Sequence, residues 1–236
     1  MSEVRDDPSH MACDLIELWA WGLGGPAARD VLSPEECARA DRFVHARDRN
    51  RFIAAHARMR VILADYSGVD ADALTFVAAD NGKPWLVDAP NIHFNLSHSD
   101  DLAVLAVRAA GPIGVDIERL RAPAVEDWSL VARRHFSPPE IELVTAASAH
   151  ARADVFLRIW TRKEAVVKAH GHGLSLALDA FDVNVCDAEP SVIRYDESLP
   201  PPRAWRLAHF EPAPGYLGAL AAPDAGAALN IVWRER

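Results

Sequence analysis

The sequence lacks the features that mark secreted, membrane and P-loop proteins. It has three cysteines in 236 residues, Cys13, Cys37 and Cys186, with no Cys-x-x-Cys spacing. That pattern argues against a disulfide framework or a zinc site and predicts reduced, buried thiols. Charged residues interrupt the longer apolar stretches before they reach membrane-spanning length, so we expect no membrane segment. No Gly-x-x-x-x-Gly-Lys loop occurs, which argues against a P-loop nucleotide site.

Positive charge is also in deficit. The formal net charge is -9, which argues against general binding of nucleic acid but leaves room for a local basic pocket. Residues 1–12 are charged and lack the apolar core of a secretion signal, so we expect a cytoplasmic protein.

What the sequence does contain is a repeated order of strand and helix patterns. The helix start Ser33-Pro34-Glu35-Glu36 precedes a helix predicted to run to about residue 66, where Gly68 would stop it. Short strand patterns follow up to residue 118, and helices at about 125–134, 138–147 and 152–170 then precede four more strands. The pattern predicts an α+β fold, a pseudo-dimer of two similar subdomains at residues 1–112 and 113–236, with the site in the cleft between them.

The most informative stretch is the nonapeptide Trp160-Thr161-Arg162-Lys163-Glu164-Ala165-Val166-Val167-Lys168. Residues four apart lie on one helix face, so Trp160, Glu164 and Lys168 form a stripe with an indole, a carboxylate and an ammonium group. Taken alone, Glu164 and Lys168 are also an ordinary exposed ion pair worth roughly 0.3 kcal/mol. We expect Trp160 to pack between the two subdomains.

A second acidic cluster precedes this stretch, in Gly114-Val115-Asp116-Ile117-Glu118. Asp116 and Glu118 are two residues apart, so the carboxylates share one face of a strand. Taken alone, such a pair is also common at a solvated strand edge. Together with Glu164 and Lys168, it predicts a site for a metal ion and phosphate groups.

The two motifs together resemble the paired signature of the long, surfactin-type branch of the 4'-phosphopantetheinyl transferase superfamily. Three further stretches follow the family's order, and the resemblance spans roughly residues 30 to 185: Asn81-Gly82-Lys83-Pro84, Phe94-Asn95-Leu96-Ser97-His98-Ser99 and Gly171-His172-Gly173-Leu174-Ser175-Leu176. The resemblance implies coenzyme A as co-substrate, bound between two similar subdomains. Its phosphopantetheine arm would be transferred to a serine hydroxyl of an apo acyl, peptidyl or polyketide carrier protein of secondary metabolism. Adenosine 3',5'-bisphosphate would be released.

The same resemblance implies a divalent cation, Mg²⁺ with Mn²⁺ as a substitute, held by Asp116, Glu118 and Glu164. Lys168 would neutralise developing phosphate charge, and either Glu164 or a metal-bound water would take the serine proton. The sequence leaves both Glu164 and the metal-bound water as candidates for the base. Glu140 matches a further acidic position of the family, and it is either catalytic or an ordinary helix-start carboxylate.

Coenzyme A also carries a 3'-phosphate, which calls for cations away from the metal. The residues that the resemblance implies for coenzyme A binding are Arg39, Arg51, Lys83, Ser97, His98 and Lys168. Arg39 replaces a family lysine, and Glu36 stands where the family has a second lysine, so part of the phosphate clamp differs. His45, His56 and His135 match no motif, and we expect them to be structural.

Two other classes of protein remain open. A metal-dependent phosphohydrolase of a nucleotide would use the same carboxylates and lysine. A non-catalytic coenzyme A binding module would keep Arg51, Lys83 and His98 but would need no acidic cluster. We expect a monomer, because both sides of the cleft come from one chain, and we expect no nucleic acid or membrane partner.

Overall fold

The computed structural model describes residues 15–25, 28–78, 82–120, 128–171, 173, 176–202, 204–226 and 228–235. The expectations for residues 1–12, for Cys13 and for His172, Leu174 and Ser175 fall outside this part of the chain. The described helices and strands are, in chain order, β1 (Leu15–Gly22), α1 (Pro34–Asp41), α2 (Ala46–Ser67), β2 (Phe76–Ala78), β3 (Pro84–Leu86), β4 (His93–Ser99), β5 (Leu102–Arg108), β6 (Gly114–Arg119), α3 (Trp128–His135), α4 (Pro138–Ala146), α5 (Arg152–His170), β7 (Phe181–Val183), β8 (Val192–Tyr195), β9 (Trp205–Phe210), β10 (Tyr216–Pro223) and β11 (Asn230–Arg234). The predicted α+β class is confirmed.

The fold is built on two main sheets, each covered on its outer face by a long helix, and β2-β3 and β7-β8 form two further two-stranded sheets. The first sheet has the order β11-β1-β5-β4, and the second has the order β6-β10-β9. Apolar side chains of α2 pack against one face of β5, whereas those of α5 pack against β10. The two inner faces meet in a third cluster that joins Ile16 and Val104 of the first sheet to Val115 and Leu220 of the second. Each half therefore repeats one helix on one sheet, and the two sheets share a core.

The segment predicted as one helix after Ser33 is two helices. Ser33 and Glu36 form the expected capping box at the start of α1. The chain then turns after Asp41, and Phe43 packs on Phe52 with ring centroids 5.5 Å apart. A continuous helix could not pack against itself, so burial of this apolar cluster between α1 and α2 outweighs helix continuity. α2 ends at Gly68, which adopts the left-handed conformation at φ 72° as a helix C-cap.

The last strand returns to the first sheet. β11 pairs in parallel with β1, which also pairs antiparallel with β5. Arg234 of β11 forms an ion pair with the buried carboxylate of Glu17, which also accepts a hydrogen bond from the Tyr66 hydroxyl. The predicted boundary at residue 112 falls in the connection between β5 and β6, but residues 113–236 also contribute this strand to the first half.

The seam between the sheets runs along β4 and β6, which are joined by side chains instead of a backbone ladder. Asn95 Oδ1 accepts the Val115 N–H at 2.8 Å, and Ser97 Oγ accepts the Ile117 N–H at 3.3 Å. Ser99 Oγ accepts the Arg119 N–H at 3.2 Å. The period of two places these three side chains on one side of β4, facing the edge of the second sheet. The predicted motifs of β4 and β6 therefore meet residue by residue.

Two further findings concern the cysteines and the expectation of no membrane segment. Of the cysteines that the structure describes, Cys37 is partly buried and Cys186 is exposed, and both are free thiols. The expectation of buried thiols is therefore wrong for Cys186. Within the described residues, no helix has the length and apolar character needed to cross a membrane.

Candidate active site

Close contact between β6 and α5 brings the two sequence motifs together. A Cβ atom at Gly114 would lie 2.0 Å from the Ala165 carbonyl oxygen and 2.4 Å from the Ala169 nitrogen, so only glycine fits at this point. Residues alternate along β6, so Asp116 lies on the same face as Gly114 and is directed towards α5. The four-residue spacing of α5 places Glu164 and Lys168 on one helix face.

A compact polar cluster forms where β4, β6 and α5 meet. Asp116 Oδ1 accepts hydrogen bonds from Lys168 Nζ at 2.6 Å and from Ser97 Oγ at 2.9 Å. Lys168 Nζ also donates to Ser97 Oγ at 3.1 Å. Asp116 is buried, and its Oδ2 atom accepts no hydrogen bond from the described residues. The Lys168 ammonium pairs with Asp116 instead of with Glu164, the partner that helix spacing alone would suggest.

Glu164 and Glu118 border this cluster. Burial and then the charge of Asp116 raise the pKa of Glu164, and Lys168 opposes the shift. On β6, Glu118 Oε2 accepts a hydrogen bond from Ser99 Oγ at 2.7 Å. Among the described residues, no group of three or more His, Cys, Asp or Glu side chains is arranged to hold a metal ion. The structure therefore couples Asp116 with Glu164, while Glu118 is held by the seam.

A group of cations surrounds His98, at the end of β4. Loss of surrounding water and then the charges of His56, Lys168, Arg51 and Arg39 lower the pKa of His98, although the side chain remains exposed. Arg51 forms a forked contact with Asp101 Oδ1 through Nε at 2.9 Å and Nη2 at 2.8 Å. The structure thus brings Arg39, Arg51 and His98 together and adds His56, for which the sequence predicts only a structural role.

The unexpected Glu36 has a defined set of partners. Its Oε2 atom accepts Arg60 Nε at 2.6 Å and the Ser33 N–H at 3.0 Å, and Oε1 lies 3.0 Å from His56 Nδ1. Burial acts to raise the pKa of Glu36, but the hydrogen bonds from His56, Ser33 and Arg60 lower it to about 2. Glu36 is therefore an ionised carboxylate that connects α1 to α2.

Lys83 does not join the group around His98. Lys83 Nζ donates to the carbonyl oxygens of Lys168 at 2.7 Å, Ile113 at 2.8 Å and Ala169 at 3.3 Å. Burial lowers the pKa of Lys83 to about 8. Its charge acts on His93, at the opposite end of β4 from His98. In this arrangement Lys83 caps the C-terminal carbonyls of α5 and anchors them to the start of β6.

Glu140, in the first turn of α4, packs against another face of α5. Its carboxylate accepts hydrogen bonds from Ser137 Oγ at 3.0 Å and from the Val183 N–H at 2.9 Å, and it pairs with Lys163 Nζ at 2.8 Å. Lys163 is fully buried, and the next residue, Glu164, points about 100° away around the helix. These contacts favour the helix-start interpretation of Glu140 over a catalytic one.

Trp160 also differs from its expected position. Its aromatic neighbours are Phe136, Phe156 and His135, with the Phe156 ring stacked at a centroid distance of 5.7 Å. Trp160 packs against the core of the second half, where α3, α4 and α5 meet. It does not lie between the two halves.

Sequence reasoning missed several residues that build the site. Asn95 and Ser99 belong to a motif that the resemblance covers, and their alternation with Ser97 was the available signal for a seam. Gly114 opens the β6 motif, and a glycine inside a strand indicates close approach of another backbone. His56 had no signal in its own neighbourhood, because its partner Glu36 is twenty residues away along the chain.

Comparisons with known proteins cover both halves. A family model described as "4'-phosphopantetheinyl transferase superfamily" matches residues 112–221, and one described as "4'-phosphopantetheinyl transferase, N-terminal" matches residues 26–110. The 4'-phosphopantetheinyl transferase HetI of Nostoc sp. is 34% identical over 221 residues, which cover 90% of each chain. The 4'-phosphopantetheinyl transferase Sfp of Bacillus subtilis is 31% identical over 207 residues, covering 86% of this chain and 88% of Sfp. The L-aminoadipate-semialdehyde dehydrogenase-phosphopantetheinyl transferase of Xenopus laevis is 31% identical over 163 residues, which cover 65% and 54% of the two chains.

Proposed function

Because this chain belongs to the 4'-phosphopantetheinyl transferase superfamily, we propose that it transfers phosphopantetheine at the junction of β4, β6 and α5. The activity itself, transfer of the phosphopantetheine group of coenzyme A to a carrier protein, is that of its named relatives. The observation that supports this location is the cluster in which Ser97 and Lys168 share Asp116 Oδ1.

The reaction is a displacement at the pyrophosphate of coenzyme A. The serine oxygen of the carrier forms a bond to the phosphorus that bears the pantetheine arm. The bond to the other phosphate breaks, and adenosine 3',5'-bisphosphate leaves with the bonding electron pair. The serine proton must go to a base, and negative charge accumulates on the leaving phosphate. Lys168 supplies a fixed ammonium group for that charge from a position held by Asp116 and Ser97.

The acidic residues fit a hard divalent cation, for which we propose Mg²⁺ with Mn²⁺ as a substitute. Asp116 Oδ2 is a buried carboxylate oxygen without a hydrogen bond in the described part of the chain, and the pKa of Glu164 is raised beside it. Asp116 and Glu164, with Glu118 as the third predicted ligand, would hold the ion. Mg²⁺ in proteins commonly uses one or two carboxylates together with substrate phosphates, so a cage of three protein ligands is not required. Such an ion would neutralise pyrophosphate charge in the transition state.

Glu164 is the residue on this face of α5 that we propose as proton acceptor. A base is most effective when its pKa lies closer to the working pH, and burial together with Asp116 moves the pKa of Glu164 upward. We assign Glu140 a positioning role instead, because it is bound to Lys163 and Ser137.

The remote end of coenzyme A is proposed to bind at the cations around His98. Arg39 and Arg51 lie in that group, and a 3'-phosphate carries the negative charge that such a group attracts. Ser97 stands between this group and Asp116 on β4. Lys83 acts on coenzyme A only through the C-terminal end of α5, which its ammonium group holds.

Transfer is tested by incubating the protein with coenzyme A, Mg²⁺ and an apo acyl or peptidyl carrier protein. Intact-mass measurement should find a gain of about 340 Da on the carrier, the mass of the phosphopantetheine group. Replacement of the carrier serine by alanine is the matched control and should abolish the gain. Release of phosphate from coenzyme A without labelling would support the phosphohydrolase alternative, and binding without either product would support the non-catalytic module.

We further propose that the protein acts as a cytoplasmic monomer on carriers of secondary metabolism. The monomer is supported by the position of the site, because β4, β6 and α5 all come from one chain. Light scattering over a tenfold concentration range should give a constant mass near 25.8 kDa. A constant mass of two or three chains would contradict the monomer.

A further inference from the structure

A carboxylate and a histidine form a mostly buried pair beside the cations that we propose for coenzyme A binding. Glu36 Oε1 lies 3.0 Å from His56 Nδ1, and both side chains are mostly covered, at 15% and 19% exposure. His56 is the first charge that lowers the pKa of His98, after loss of surrounding water. His56 of α2 therefore borders the same space as His98 of β4.

Glu36 changes the charge of this space. Its ionised carboxylate would repel a phosphate. Arg60 Nε binds the other carboxylate oxygen of Glu36 at 2.6 Å, with Arg60 itself fully buried. Arg60 therefore offsets the charge of Glu36, and the Nε2 side of the His56 ring remains for a ligand.

We propose that His56, oriented by Glu36, donates its Nε2–H to the 3'-phosphate of coenzyme A. This inference rests on the proposed function and adds a residue to it. The Nδ1 atom is taken by Glu36, so Nε2 is the ring atom directed to a ligand. A carboxylate on one imidazole nitrogen stabilises the protonated ring, the form that is a donor at both nitrogens.

The ring of His56 is held in a fixed orientation. It stacks on Phe52 with centroids 4.0 Å apart, and the Arg39 guanidinium lies 5.2 Å from the centroid of the same phenylalanine. Phe52 thus holds the His56 ring and the Arg39 guanidinium beside each other. A histidine that needs no reorientation gains more from a charged hydrogen bond, because little side-chain entropy is lost on binding.

The charged groups that act on His98 or bind the partner of His56 come from four elements. They are Glu36 and Arg39 on α1, Arg51 and Arg60 on α2, His98 on β4 and Lys168 on α5. Of these groups, Glu36 is ionised at neutral pH, because its hydrogen bonds lower its pKa to about 2.

The test compares two nucleotides that differ by the 3'-phosphate, adenosine 3',5'-bisphosphate and adenosine 5'-monophosphate. Titration calorimetry measures the affinity of each for the wild type, for His56→Asn and for His45→Asn. Asparagine retains a donor near the Nδ1 position, for Glu36, but has no Nε2. His45, at the exposed start of the same helix, is the matched control. We expect His56→Asn to weaken binding of the bisphosphate about tenfold, which corresponds to the loss of one charged hydrogen bond. The affinity for the monophosphate should stay unchanged.

Equal losses for the two nucleotides, or no loss in His56→Asn, would overturn the assignment. If His56→Asn does not fold, the ring nitrogen signals of His56 in the wild type provide a second measurement by NMR. They should shift with the bisphosphate and not with the monophosphate, and equal shifts would contradict the proposal. Failure of the proposed function is separate: it would appear as absence of carrier labelling by the wild type, whatever the nucleotides show.

Discussion

At the scale of single residues, the site places the carboxylates of Asp116 and Glu164 near each other and pairs one of them with a lysine. Burial and the charge of Asp116 raise the pKa of Glu164, and Lys168, which pairs with Asp116, opposes that shift. Such an arrangement lowers the stability of the protein alone and favours a bound cation. The motifs predicted Asp116, Glu164 and Lys168 as site residues, and the structure brings the three side chains together. They could not predict the partners of Lys83 and Glu36, because those contacts depend on how distant segments meet.

Glu164→Gln should make the protein more stable and inactive. The folded protein holds the Glu164 proton more tightly than the unfolded chain does, so the free energy of unfolding falls as pH rises between the two pKa values. At pH 7.5 the neutral glutamine should raise Tm by roughly 2–4 °C, the effect of about 1 kcal/mol in a protein of this size. The gain should vanish below about pH 4, where an ordinary glutamate is protonated.

Thermal unfolding at both pH values measures this difference. Replacement of the exposed Glu142 by glutamine is the control and should change Tm by less than about 1 °C. A lower Tm for Glu164→Gln at pH 7.5 would mean that Glu164 stabilises the fold, contrary to this account.

At the scale of elements, two close approaches fix the geometry of the site. Gly114 brings β6 against α5, and the Asn95, Ser97 and Ser99 side chains join β4 to β6. The sequence predicted α5 at its observed bounds, because its apolar pattern and end signals are strong. It missed the break between α1 and α2 and the short β8. β8 has only four residues and pairs with β7 through an irregular register, so local patterns carry little information about it.

Gly114→Ala should disrupt the site although Gly114 takes no part in the reaction. The new methyl group would meet the Ala165 carbonyl oxygen, so α5 must move away from β6 and carry Glu164 and Lys168 from Asp116. We expect a loss of about 3 kcal/mol in the free energy of unfolding and at least about a tenfold loss of kcat/KM. Denaturant unfolding and the transfer assay measure the two effects.

Gly24→Ala is the matched control, because a Cβ atom there meets nothing within 4 Å. It should keep both stability and activity. A Gly114→Ala variant with the stability and kcat/KM of the wild type would show that the contact between β6 and α5 does not position the site.

At the scale of the whole molecule, the C-terminal strand connects the two halves. β11 completes the first sheet although it follows the second in the chain, and Arg234 neutralises the buried Glu17 on β1. The sequence predicted a strand there but gave no sign of its partner, because the pairing spans almost the whole chain. The shared core between the sheets adds to this connection, so the halves should unfold together.

Arg234→Ala should therefore destabilise the molecule more than loss of a surface ion pair does. Among the described residues, Glu17 would then keep the Tyr66 hydroxyl as its side-chain partner, and the buried carboxylate would cost about 1–3 kcal/mol. Arg206→Ala is the control, because Arg206 pairs with Asp224 at the surface and should cost less than about 1 kcal/mol. Calorimetry should record one unfolding transition for each variant, shifted clearly only in Arg234→Ala. Two separate transitions in the wild type would contradict cooperative unfolding.

The most direct test of the central claim is the mass of an apo carrier protein after incubation with Asp116→Asn, coenzyme A and Mg²⁺. Asparagine keeps the size of the side chain and can still accept from Ser97 and Lys168, but it removes the charge. The account predicts no gain of about 340 Da at any Mg²⁺ concentration, while calorimetry still detects binding of coenzyme A through the cations around His98. The wild type should label the carrier completely under the same conditions. Near-normal labelling by Asp116→Asn would contradict the location of the active site at the junction of β4, β6 and α5.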